Sequence, residues 1–383
     1  MKKMTEEKFE NWPFRVPNFD RVCERLKGFT ENFKNASTQE EALTLWKKVS
    51  RLNDIVGDQI THVQVLFSLE TGNKKYRKAM EKINNALPVL EVESQKFTEA
   101  YLASPYLPYL ESKLGTFLTK MYEYEVKKSD EKVIKEKQLE AELSMQYSAA
   151  IASISFEFRG KKYNLPQMGK FLQDVDRETR KEASKVYYEG LESHKDELEN
   201  IYDQLVKVRT KMAKEMGFES YTELGYLMMG RYDYTPEMVA AYRDQIREVV
   251  VPVAQKIVKK QIQRLGIKNP EIHDLNLMFP DGNPTPNGTT EDKVEAAKKM
   301  YKELSPETGF FFPFMADHHL LDLETRAGKQ SGGYMTYFPK YGVPIIFSNF
   351  NGTSGDVDVL THEFGHSFQA YMSNKIKIPE LRS

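Results

Sequence analysis

The chain has 383 residues, a net charge of −1 and one cysteine, Cys23. A chain this long can bury a sizeable core in two or three domains, while the balanced charge supplies neither a basic field for nucleic acid nor an acidic tail. A single thiol rules out an intramolecular disulfide, the start at 1–8 lacks the apolar stretch of a signal peptide, and no apolar run reaches membrane-span length. These features point to a reduced, cytoplasmic setting without a membrane partner, in which the sequons at Asn35, Asn287 and Asn351 are incidental.

Helical apolar periodicity fills roughly 19–70, 74–103, 130–155 and 235–265. Pro105 and Pro108 interrupt it. The stretch 156–163 reads as a small hairpin with Arg159-Gly160 in its turn, and Pro166 opens a further helical series. We place a boundary there, giving an N-terminal helical lobe (1–165) and a second region (166–383). Ile201, Leu205, Val208 and Met212 share one helix face, which Gly217 ends. Proline, glycine and asparagine at 280–288 mark a dense loop. A helix follows at about 290–304, and 331–337 and 344–349 read as short strands. One of these strands could offer a free edge to an extended peptide. A buried structural hairpin fits the same spacing.

His362-Glu363-Phe364-Gly365-His366 is H-E-x-x-H. On a helix, residues four apart lie on one face a turn apart, so both imidazoles can reach one metal ion, with Glu363 beside them as a base. With seven histidines in the chain, chance yields such a motif about once in a hundred sequences. Context favours a real helix. Val357, Leu360, Phe364, Phe368 and Tyr371 form an apolar stripe, Ser354 or Asp356 can cap the start, and Asn374 with Pro379 can end it. Asp358, one turn before His362, could accept that imidazole's second N–H, or it could simply be a favourable acid in a first helical turn. His318 and His319 are adjacent and must diverge, and His62, His194 and His273 stand alone as structural or surface residues. Arg326 and Lys329 could anchor a substrate carboxylate, although an internal salt bridge is the commoner use of such residues.

The motif extends into a longer pattern: 322–329, Gly332-Gly333-Tyr334, 344–353, 356–358 and 362–369. Together these segments resemble the M3 family of zinc metallopeptidases, in its oligoendopeptidase F branch, and Asp174–Arg180 also looks like a recurrent segment of that branch. The resemblance implies a mainly α, multi-helical, two-lobed zincin-like fold with a small β-sheet next to the motif helix. It implies cleavage of internal bonds in short peptides that enter a channel. It assigns one Zn2+ to His362 and His366, the general base to Glu363, and substrate contacts to Gly332, Gly333 and Tyr334. The family's third zinc ligand is a glutamate about two dozen residues past the second histidine, beyond Ser383. Its substrate-binding histidine and tyrosine residues lie further on. On this reading the chain is a C-terminally truncated member with impaired activity. The alternatives are a peptide-binding scaffold or a chain that needs a separate C-terminal fragment. Glu380, the one acidic residue after His366, is expected in an exposed loop rather than on the metal, and the apolar surface around Phe364, Phe368 and Tyr371 is expected to be uncovered.

Overall fold

Two apolar clusters organise the molecule, and one long helix enters both. The computed structural model describes residues 4–376 and 378–382. Helices α1 (Phe19–Lys34), α2 (Gln39–Leu69), α3 (Lys74–Leu102), α4 (Leu107–Leu114) and α5 (Thr116–Glu125) come first. Asn18, Thr38 and Asn73 start α1, α2 and α3 by accepting backbone N–H groups with their side chains. Thr38 thereby divides the 19–70 periodicity into two helices. Leu26, Trp46, Val49, Val63, Ile83, Tyr101, Leu110 and Leu118 form the first core. Val65 and Leu69, on the same α2, enter the second.

Helix α6 (Ile134–Ser153) leads into β1 (Ser155–Phe158) and β2 (Lys161–Asn164). These pair antiparallel around Arg159 (φ 49°) and Gly160 (φ 74°), the left-handed pair that a tight two-residue hairpin requires. Next come α7 (Leu165–Met168), α8 (Arg177–Glu192), α9 (Lys195–Glu215), α10 (Tyr221–Met228), α11 (Pro236–Gln245) and α12 (Val251–Arg264). A π-widened turn, Ile246–Val250, joins α11 to α12 where Pro252 lacks the N–H that a regular turn would use.

The segment Asp174–Arg180 builds a buried ionic knot. Asp274 is fully buried and takes Arg177 at 2.8 Å and Arg180 at 2.9 Å. Arg180 also donates to the carbonyls of Asp174, Val175 and His273. Burial pushes the Asp274 carboxyl up, but hydrogen bonds from Arg177, the Glu271 N–H and Arg180 outweigh it and hold the group well below the usual carboxylate range.

The chain then forms α13 (Thr290–Leu304), α14 (Pro306–Asp317), β3 (Leu321–Glu324), β4 (Tyr334–Phe338), β5 (Val343–Phe350) and α15 (Gly355–Ser373). The sheet order is β3-β5-β4, with β3 parallel and β4 antiparallel to β5. Central β5 is buried along almost its whole length, which explains its unbroken apolar run. Strand β3 was not expected from the sequence, because four residues alternating once give too little signal.

His62 is buried among Phe9, Trp12 and Phe338, with ring centroids 5.3–6.4 Å away. Burial lowers its pKa from 6.5 to about 4. The unfolded chain then binds the extra proton between these values. Stability contributed here is complete above pH 6.5 and declines as pH falls to about 4. We expect His62→Phe to flatten that part of the pH profile in urea unfolding followed from pH 7 to pH 4.5. An unchanged slope would refute the assignment.

Candidate active site

Helix α15 is fixed at its start by a buried carboxylate. Asp356 accepts the N–H groups of Asn351 and Gly352 at 2.8 and 3.0 Å, with Lys293 at 3.6 Å. Ser354 occupies the cap position but makes no side-chain cap bond. Leu360, Phe364 and Tyr371 form the inner face. Phe364 lies 4.1 Å from Tyr301, and Tyr371 stacks at 4.1 Å on Phe311, centroid to centroid.

Two expectations are corrected here. Val357 is 43% exposed and stands outside the apolar stripe, because Asp356 and its loop contacts anchor the first turn. The surface at Phe364 and Tyr371 is covered, with α13 and α14 supplying Tyr301, Phe311 and Phe312. Phe368 is half-buried.

His362 and His366 lie on the exposed face of α15. Their Nε2 atoms are 3.1 Å apart, and their ring planes are nearly perpendicular. Two nitrogens bound to one tetrahedral zinc at about 2.05 Å stand roughly 3.3 Å apart, so the pair fits two positions of such an ion. Glu363 is buried. It packs beneath the loop before β4, where a Cβ on Gly333 would sit 2.9 Å from Val359 and 3.9 Å from the Glu363 Oε1. The absence of a Cβ lets the loop pass close over the Val359 side chain, next to the carboxylate.

Gly332 and Gly333 are exposed, and Gly332 accepts a hydrogen bond from the Asn349 amide at 2.8 Å. The Tyr334 ring stacks on Phe347 at 4.7 Å, and its hydroxyl shares a 2.6 Å hydrogen bond with Ser68. Burial pushes that hydroxyl up to about 12. Strand β4 forms an antiparallel hairpin with β5 and lies at the edge of the three-stranded sheet. Asp358 is exposed, and among the described residues no hydrogen bond joins its carboxylate to His362.

Glu380 departs from the exposed loop position expected for it. It is half-buried and lines a cleft with Tyr122, Lys128, Lys137 and Met228, and burial raises its carboxyl above the usual range. The short turn Pro379–Leu381 tucks it against the first core. Among the described residues, no group of three or more His, Cys, Asp or Glu side chains is placed to hold a metal ion. The remaining histidines are occupied elsewhere. His318 stacks on Phe314, His319 meets Glu10 at 2.8 Å, and His273 sits beside Asp274. Arg326 and Lys329 both pair with Asp322. The sequence did not disclose the contact between Gly333 and Glu363, although the glycine pair before an aromatic strand was its visible trace. Among the described residues, no helix is long and apolar enough to cross a membrane.

Comparison with known proteins places these features in a wider group. A family model for the peptidase M3 N-terminal domain matches residues 9–129, and one for peptidase family M3 matches 170–279 and 314–379. Oligopeptidase PepF of Bacillus subtilis (strain 168) is 25% identical over 94% of this chain. The chain spans about half of that relative's length, 54%. A solved structure of a provisionally named oligoendopeptidase F from Bacillus anthracis str. Ames has a TM-score of 0.96 and 41% identity, covering 99% of this chain and 70% of its own. PZ peptidase A, solved with an inhibitor, has a TM-score of 0.96 and 37% identity, covering 98% and 67%.

Proposed function

The chain belongs to peptidase family M3, and from that premise we propose that it serves zinc-dependent hydrolysis of internal bonds in short oligopeptides in the cytoplasm. The observation that carries this reading is the His362–His366 pair, with Nε2 atoms 3.1 Å apart on an open helix face beside buried Glu363. His362 and His366 would hold the ion. Zinc, when bound, supplies Lewis acidity that polarises a carbonyl and acidifies water near neutral pH. Glu363 accepts the proton of the attacking water and delivers it to the leaving amine. Burial of Glu363 restricts the positions its carboxylate can take, which suits both transfers. The exposed main chain of Gly332 and Gly333, and the edge of β4, would align an extended substrate. Exposed Asp358 would orient His362 only after a rotamer change.

A catalytic zinc ordinarily has three protein ligands, and the described residues bring together only the two histidines. This favours a second element of the proposal. The 383-residue chain alone would bind zinc weakly and turn over peptide slowly, and the third ligand would come from sequence equivalent to the part of the relatives that it does not span. We expect zinc affinity to fall at least tenfold in His362→Ala and in His366→Ala, measured by titration with zinc at equilibrium. Equal affinity in both variants and the parent would sink the ligand assignment.

A further inference from the structure

Lys329 is a buried cation outside the histidine–glutamate site. Its side chain is 0% exposed. The ammonium donates to the Asp322 carboxylate at 2.6 Å and to the carbonyls of Asp322 at 3.2 Å and Glu324 at 2.8 Å. It also reaches the carbonyl of Ser348 and lies 4.5 Å over the Phe347 ring. Its acceptors come from two neighbouring parallel strands, β3 and β5, where their register shifts between Asp322 and Glu324. Such an irregularity disrupts the ladder, and the ammonium ties the two strands together there.

The rest of the loop is fastened on both sides of Lys329. The Gly328 carbonyl accepts the Thr71 N–H and hydroxyl at 2.9 and 2.8 Å. The Gln330 N–H donates to Ser68, and the Asn349 amide donates to the carbonyls of Gln330 and Gly332, each at 2.8 Å. Four residues past Lys329, the loop brings Gly333 over Val359 and beside Glu363, where a Cβ on the glycine would lie 3.9 Å from Oε1. Burying an ion pair adds little net stability compared with well-packed apolar groups. What the pair supplies here is a fixed position for the loop.

We propose that Lys329 and Asp322 are a positioning pair that holds the Gly332–Gly333 loop against Glu363, and so fixes the direction of that carboxylate. The consequence for catalysis rests on the reading of Glu363 as general base. The attachment of the loop does not. Lys329→Met keeps the length of the side chain and leaves Asp322 paired with Arg326 at 2.8 Å.

Amide hydrogen exchange of the 383-residue chain, followed by mass spectrometry, is the decisive measurement. We expect exchange over 329–335 to accelerate about tenfold or more in Lys329→Met, with β5 exchange and the urea midpoint nearly unchanged. Arg326→Gln, which removes only the outer partner, should leave the loop protected. Unchanged exchange at 329–335, or an acceleration shared equally by β5, overturns the proposal. Should Lys329→Met fail to fold, Asp322→Asn decides by the same local criterion. In zinc-loaded protein that turns over peptide, kcat should fall about tenfold with KM within about twofold. A change in KM alone counts against positioning. Glu363→Gln in the same assay separates the two readings: if it is fully active the general-base role fails, while the exchange result still decides how the loop is held.

Discussion

Glu363→Gln is expected to lower peptide turnover by about a hundredfold or more while zinc stays in place. The substitution is nearly isosteric, so the buried side chain keeps its packing beside Gly333. It removes the capacity to accept a proton. His362 and His366 are untouched, because their Nε2 atoms face each other on the open side of the helix and Glu363 lies on the buried side. The test is steady-state cleavage of a fluorogenic oligopeptide by zinc-loaded protein, with metal content measured on the same samples. Turnover near the parent value with zinc bound would exclude the role.

Asp274→Asn is expected to cost about 3–5 kcal/mol of unfolding free energy. The carboxylate is fully buried and offsets two arginines, of which Arg180 is itself only 2% exposed. The amide leaves the Arg180 guanidinium with its carbonyl partners and no anion. The substitution also has a pH signature. The folded-state pKa of Asp274 lies well below its ordinary value of 3.8. Its contribution is therefore present above about that pH and is lost as pH falls through the folded value. Urea unfolding of parent and variant at pH 7 and pH 3 reads both effects, and the gap between them should narrow at the lower pH. A cost below about 1 kcal/mol at pH 7 would show that the knot is not a stabilising element.

The two pH-sensitive positions act in separate windows. His62 weakens the fold between pH 6.5 and about 4, because a neutral imidazole sits among aromatic rings. Asp274 acts only in stronger acid. Acid unfolding should begin in the first window, and His62→Phe should delay its onset without altering the second.

Much of this protein was legible from local chemistry. The Arg159-Gly160 turn, the helix stop at Gly217, the α13 helix and the β4–β5 hairpin all follow from periodicity and turn residues, which act over a few neighbours in the chain. The histidine pair was legible for the same reason, since a spacing of four on a helix needs no other element. Tertiary structure decided the rest, because those features depend on groups far apart in sequence. Strand β3 exists because β5 pairs with it. Phe364 and Tyr371 are covered because α13 and α14 return to them, and Glu380 is half-buried against helices from the first core. The approach of Gly333 to Glu363, and the tie from Lys329 to two strands, also form only on folding. The sequence by itself determined the spacing of the histidine pair and the helix that carries it. What lies beside Glu363, and which charges are buried, were set by packing between segments that no local pattern connects.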